Sequence, residues 1–309
     1  MCIRDRPEVG HGCGHNIIGT AAVGAGIAAK FVADEFGATI MVIGCPAEEL
    51  LGGKVLMVEK GVFKEVDAAL QIHPIAAQEN SAGMKATAAI PLDVEFFGKS
   101  AHAAADPWNG INALEALIQS FVNIDGLRMH MKDRSRISGV ILDGGKAANV
   151  IPEHSAGRFM IRATRDDDLD DLCKRVIKCF EAAALSTGAR LEYRWGTRCN
   201  VLKNNSVILD SWKSNMAVLG REVGEMNIES ASTDLGNVSV ITPVIQPFLS
   251  ISEETLPFHS DAFAAAAASE AGDKAVIDGA KALAMTAADI VAQPDILARA
   301  KAELSETRN

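Results

Sequence analysis

The sequence has no basic surplus. Its 309 residues carry 30 Lys and Arg against 40 Asp and Glu, a formal net charge of −10. Phosphate recognition needs clustered cations, and no basic stripe is present, which argues against a nucleic-acid partner. No apolar run approaches the ~20 residues of a membrane span. No signal peptide is visible either, so no membrane partner is expected and the cytoplasm is the expected compartment. Six cysteines, at positions 2, 13, 45, 173, 179 and 199, include no Cys-x-x-Cys pair. A chain this long needs no disulfide staples, so most of them read as buried, reduced thiols. Aromatic residues make up only 5% of the chain. Alanine is abundant instead, which suits helices packed tightly on a sheet. The remainder, 48% hydrophobic and 23% charged, has a globular composition and length enough for two domains.

The segment Gly10-His11-Gly12-Cys13-Gly14-His15-Asn16 is the most informative feature present. In an extended segment, Cys13 and His15 point to one side. A thiolate and an imidazole aimed at one point make half a metal site. Further ligand candidates stand in Pro46-Ala47-Glu48-Glu49, Gln71-Ile72-His73-Pro74 and Pro257-Phe258-His259-Ser260. Together these make a metal-dependent hydrolase the leading reading. The glycines of residues 10–14 only faintly imitate a dinucleotide fingerprint, and Gly52-Gly53-Lys54 lacks phosphate-loop spacing. The motif follows the polar leader Met1–Arg6 almost at once. An α/β domain places such a motif after at least one strand and helix, so a native N-terminal portion is expected to be missing.

Residues 16–33 read as an Ala/Gly-rich helix, apolar nearly all round and therefore buried. Residues 38–45 are a continuous apolar run that suits a central parallel strand. Residues 51–60 read as a helix ending at Gly61, and 68–72 as a strand ending at His73. This rhythm predicts a doubly wound mixed α/β sheet, with ligands at the C-terminal ends of strands. The texture changes near Lys85. A strand over 86–97 is followed by a helix opening at Asp106-Pro107, with Ile111, Leu114, Ile118, Phe121 and Val122 as its apolar stripe. Strands over 137–142 and 156–163, a helix over 166–186 and a strand over 190–195 complete a β-α-β-β-α-β unit. Residues 85–196 are therefore expected to be an α+β domain inserted into a catalytic domain made of 1–84 and 197–309.

Taken in order, the segments His11–Asn16, Pro46–Glu49, Ile72–Pro74, Gly98-Lys-Ser-Ala-His102-Ala-Ala, Asn149-Val-Ile-Pro152 and Phe258-His259 resemble the metallo-amidohydrolases of the aminoacylase and carboxypeptidase type, peptidase family M20. Within that family the sequence is most similar to the aminoacylase-1-like dipeptidases and the aminobenzoyl-glutamate-hydrolase-like proteins. The resemblance implies two divalent metal ions per chain, zinc first and manganese or cobalt as alternatives. Its implied ligands are Cys13, His15, Glu49, His73 and His259, and Cys13 could bridge the ions. It implies that Glu48 is the general base, which takes a proton from the attacking water and delivers it to the leaving amine. His102 and Asn149 would hold the developing oxyanion, sometimes across a dimer, and Arg162 would grip a substrate carboxylate. The inserted domain would act as lid and homodimer interface. Asp234, in Ser232-Thr233-Asp234-Leu235-Gly236-Asn237, would line the substrate pocket or steady a ligand. The expected substrate is a small dipeptide or an N-acyl amino acid.

Other readings stand beside these. Arg162 also fits a structural ion pair, and Asn149 a turn before Ile151-Pro152. Adjacent glutamates are commonly a solvated pair, although here they follow a buried run and a proline. The whole chain also admits a non-catalytic metal-binding homologue, or an inactive fragment of such an enzyme.

Overall fold

The structure is a computed structural model and describes residues 11–225, 228–229 and 231–307. The leader Met1–Arg6 and Gly10 lie outside the described residues. The chain forms two compact units, one of residues 1–86 with 202–309 and the other of 87–201.

The first unit contains α1 (His15–Phe36), α2 (Glu48–Leu51), α3 (Gly53–Glu59), β1 (Ala69–Leu70), β2 (His73–Ala76), β3 (Asn80–Ser81) and β4 (Met84–Lys85). The second contains β5 (Ala88–Phe97), β6 (Ala101–His102), a 3-10 turn (Pro107–Asn109), α4 (Ala113–Arg128), β7 (Arg136–Asp143), β8 (Val150–Ile151), β9 (His154–Ala163), α5 (Asp166–Thr187) and β10 (Arg190–Trp195). The chain then returns to the first unit with α6 (Ser206–Val218), β11 (Val223–Gly224), β12 (Ile228–Glu229), α7 (Leu235–Ser239), β13 (Val244–Ile245), β14 (Phe248–Ser252), α8 (Asp261–Ala266), α9 (Glu270–Ala292) and α10 (Pro294–Glu306).

In the first unit, a mixed sheet runs in the order β11-β3-β14-β2, and β1 pairs in parallel with β13. α1 packs against α9, and Ala21, Ala25, Ala29 and Ala33 form a buried ridge of small side chains at four-residue spacing along it. Small residues let the helices approach closely. At Gly279 an added Cβ would stand 2.4 Å from Ile72 Cδ1. Trp212, Phe263, Ile17, Ile72 and Leu249 fill the core beneath. A second cluster of Phe63, Leu235, Val238, Val244 and Phe248 sits around α7 and β13.

Three expectations for this unit are corrected. α1 is not buried all round: Val23, Ile27 and Phe31 face outward, Phe31 with 77% exposed. Its 22 residues are long and apolar enough to cross a membrane by length and composition, although the alanine ridge is packed within the unit. The run over 38–45 is not a strand. A central strand requires neighbours that take up its backbone groups, and none of the described strands pairs with it. Finally, the strand expected over 68–72 is only Ala69–Leu70, and His73 begins β2 rather than ending a strand.

The second unit is a four-stranded antiparallel sheet in the order β10-β5-β9-β7, with α4 and α5 on one face. Alternate residues Leu92, Val94 and Phe96 of β5 point into the helices. Phe159 and Phe180 meet edge to face at 4.9 Å between centroids. α4 opens at Ala113 with the Asn112 side chain accepting from Glu115 N, whereas Asp106-Pro107 starts only the short 3-10 turn. The buried stripe is accordingly Ala113, Ala116, Leu117, Ser120 and Ile124, while Ile118 and Val122 are exposed. A proline favours a first helical turn, and here that turn goes no further; Asn112 caps the longer helix.

On the open face of this sheet, His154 lies between Asp143 (Nδ1–Oδ2, 2.8 Å) and Glu95 (Nε2–Oε2, 2.9 Å). Hydrogen bonds that the ring donates to Asp143 first and then Glu95 raise its pKa above the ordinary 6.5. A histidine raised in the folded state stabilises fully below its unfolded pKa, and that contribution is lost as pH rises through the raised value. His154→Gln is therefore expected to melt below wild type near pH ~5.5, with the gap closing near pH ~8.5 in thermal scans.

Candidate metal centre

The Cys13–His15 pair converges by a route other than an extended segment. Residues 11–14 form a turn, closed by Gly14 N donating to His11 O at 3.2 Å, and His15 is the first residue of α1. Gly14 has φ 71°, and a Cβ there would lie 2.4 Å from Pro74 Cγ. Glycine is required on both counts, and it lets the turn settle on the residue after His73. Cys13 Sγ then stands 3.6 Å from His73 Nε2.

His73 enters from the start of β2, which is held by its parallel pairing with Phe248 of β14. Its Nδ1 lies 2.8 Å from the Pro74 carbonyl, to which it donates, leaving Nε2 unprotonated toward Cys13. Burial drives its pKa down to about 4, keeping the ring neutral. Burial also lowers the pKa of His15, against the opposing pull of the Glu49 charge. His259 follows β14 in a left-handed conformation, φ 62°, and its backbone N–H donates to Gly12 O at 2.7 Å. That bond ties the last ligand candidate to the first.

Glu48 and Glu49 also depart from the extended geometry that would send them to opposite sides. They open the single helical turn α2, and both reach His15. His15 Nε2 is 3.5 Å from Glu49 Oε1 and 4.0 Å from Glu48 Oε2, while His259 Nε2 is 3.2 Å from Glu49 Oε2. Within 4.8 Å of one another lie the donor atoms of Cys13, His15 and His73, and likewise those of Cys13, Glu49 and His259. Cys13 belongs to both of these sets, and a third set joins His15, Glu48 and Glu49. Glu49 Oε1 is buried without a hydrogen-bond partner. Such an atom is costly unless a cation faces it. Thiolate, neutral imidazole and carboxylate are the donors that a divalent transition ion takes. The residues present therefore fit a metal.

Beside this cluster, burial first and the Asp234 charge second push the Glu48 carboxyl up to about 7, against the opposing charge of Lys54. Asp234 itself is fully buried. Lys54 N and Nζ donate to its two oxygens at 2.8 and 2.7 Å. It therefore stands behind Glu48 rather than on an open pocket wall. Sequence reading missed Lys54; a lysine directly before the apolar run Val55–Val58 was the available signal.

The remaining candidates belong to the second unit. Strands β6 and β8 bring His102 and Asn149 together: His102 pairs with Val150, and Ala103 N donates to Asn149 O at 3.0 Å. His102 Nδ1 accepts from Ala104 N and Ala105 N at 3.2 and 3.1 Å, so its hydrogen is on Nε2, facing away from that loop. Arg162 lies apart from this pair, near the far end of β9, in register with Ala89 and Arg136. Burial lowers its pKa.

Residues 78–188 match the peptidase dimerisation domain. The fold is that of a dinuclear metal-binding peptidase of the M20 family from Bacillus subtilis, with a TM-score of 0.68 at 18% identity, over 91% of this chain and 73% of that one. A Xaa-Arg dipeptidase of Mus musculus is 36% identical over 301 residues, 94% of this chain and 69% of that protein. The chain belongs to the M20 peptidase family. A p-aminobenzoyl-glutamate hydrolase polypeptide of Escherichia coli is a further relative, 30% identical over 96% of this chain and 74% of its own length. This M20 chain spans about two thirds of the length of its first relatives, 69% of the mouse dipeptidase and 66% of an aminobenzoyl-glutamate utilization protein from Klebsiella pneumoniae, whose fold it shares at TM-score 0.66 and 20% identity over 86% of this chain. The resemblance to dipeptidases and aminobenzoyl-glutamate hydrolases is thereby borne out, as is the mixed α/β fold. Three of these relatives are named as a dipeptidase, a peptidase and a hydrolase.

Proposed function

We propose that the chain is a metal-dependent amidohydrolase acting on a small dipeptide or an N-acyl amino acid with a free carboxylate. The observation that carries this reading is the pair of ligand triads that share Cys13, with Glu48 beside them. Cys13, His15, Glu49, His73 and His259 would hold two divalent ions, with zinc favoured by the thiolate and imidazole donors. Bound ions supply positive charge that polarises an amide carbonyl and acidifies water.

The rest of the chemistry belongs to side chains. Glu48 accepts a proton from the attacking water on its carboxylate and delivers it to the leaving nitrogen. His102 Nε2–H and the Asn149 amide are donors suited to the developing oxyanion. Arg162, with a half-buried planar guanidinium, suits a substrate carboxylate. Along β9 it lies roughly 25 Å from the end near His154, so one copy does not bring it together with His102 and Asn149. This supports an arrangement in which a partner copy supplies one part. The edge strand β7 exposes Val140, Ile141 and Leu142, and α4 exposes Ile118 and Val122, an apolar surface that suits a homodimer through this unit.

A hydrolysis screen of Xaa-Arg and other dipeptides, N-acetyl amino acids and aminobenzoyl-glutamate, with added zinc, manganese or cobalt, tests the reading. Turnover should require metal, vanish with chelator and return when the metal is restored. Turnover indifferent to chelator would overturn it.

A further inference from the structure

Glu48 sits on a structure too small to hold itself. A single four-residue turn is below the length at which helix formation sustains itself. It is flanked by two left-handed residues, Ala47 at φ 58° and Gly52 at φ 59°. Chain entering and leaving this turn is in backbone contact: Gly53 N donates to Ala47 O at 3.3 Å, and a Cβ on Gly53 would fall 1.8 Å from Pro46 O. The loop from Pro46 to Lys54 is thus closed on itself, and something outside it must set its direction.

Part of that outside support is the dipeptide Thr233-Asp234. Asp234 takes the exit of the loop, with both carboxylate oxygens engaged by the backbone N–H and the ammonium of Lys54. Thr233 stands at its entrance, near enough to Glu48 for its side chain to favour the ionised carboxylate. Lys54 is 4% exposed and Asp234 is fully buried. A buried ion pair adds little net stability over apolar residues of the same size, yet it fixes geometry closely. Here it fixes the loop that bears Glu48.

We propose that Lys54, Asp234 and Thr233 are positioning residues that aim the Glu48 carboxylate at the metal-ligand cluster. This rests on the reading of Glu48 as the base. It assigns Asp234 to the support of Glu48 and not to contact with substrate.

The test uses the full chain loaded with zinc. Lys54→Met alone strands a buried carboxylate, so the main variant is Lys54→Met with Asp234→Leu, which removes both charges together. Its kcat should fall about 10- to 100-fold, the size of effect an ångström of misplacement produces. KM and zinc content by mass spectrometry should stay at the wild-type level. In a Glu48→Gln background the same pair of changes should cost nothing more, because the group it aims is gone. A crystal structure of the zinc-loaded double variant should show the Glu48 carboxylate displaced. A carboxylate left in place, or a loss that adds to that of Glu48→Gln, overturns the inference. Wild-type turnover in Glu48→Gln overturns instead the base assignment beneath it. If the double variant does not fold, Thr233→Val carries the test: a reduced kcat at unchanged melting temperature supports positioning, and an unchanged kcat refutes it.

Discussion

Glu48→Gln is expected to lower turnover about 10²- to 10⁴-fold, the range general-base removal produces, while the metal content stays at its wild-type level. The amide is isosteric and keeps a hydrogen-bonding partner for Thr233, so the loop over 46–54 retains its shape. What it loses is the ability to accept a proton. Burial holds the carboxyl up to about 7 in the metal-free protein, and the charge of nearby divalent ions draws it downward. A base must be deprotonated to act, so the rate should fall as pH drops through the value reached in the loaded protein. Glu49→Gln should behave differently. Glu49 faces both His15 and His259 and has a buried oxygen without a hydrogen-bond partner, so its substitution should reduce bound metal as well as turnover. Steady-state kinetics paired with elemental analysis separates the two. A Glu48 variant that loses metal, or one that keeps full turnover, would remove it from the base role.

Much of this site is legible in the sequence because the ligand candidates are chemically distinctive residues in short, glycine- or proline-marked segments. The geometry is less legible. Strand alternation would bring Cys13 and His15 together; they converge instead because Gly14 adopts a left-handed conformation that no side chain at that position would tolerate against Pro74. An extended chain would send Glu48 and Glu49 apart; a one-turn helix directs both toward His15. The second unit is readable element by element because its strands alternate and its helices are amphipathic. The run over 38–45 misleads because apolar content alone does not supply a neighbouring strand. The phase of α4 misleads because two capping signals, Asp106-Pro107 and Asn112, stand within two turns of one another. Lys54 escapes notice because a buried lysine is identified by its partner, and that partner is 180 residues away.

Cys13→Ala is expected to cost the protein both metal ions, whereas His73→Ala should cost one. Cys13 is shared by two of the three ligand triads, and His73 belongs to only one of them. Loss of a supporting hydrogen bond alone weakens metal affinity by about 10- to 100-fold, so loss of a ligand atom common to both positions should exceed that at each. The two variants also differ in their effect on the fold. Cys13 lies at a turn, but His73 is packed against Phe248 at 5.0 Å and Phe258 at 5.8 Å, so His73→Ala opens a cavity and should lower the melting temperature even without metal. Zinc should raise the wild-type melting temperature, since an ion bound only by the folded state at 100 times its Kd stabilises by about 2.7 kcal/mol. Cys13→Ala should show no such rise. Cys13→Asp supplies an anionic oxygen in place of the thiolate and should recover metal binding, with preference moved from zinc toward manganese because the donor is harder. Metal content, thermal shift and metal preference measured on these three variants decide the assignment. Two ions retained in Cys13→Ala would show that the thiol is not a ligand.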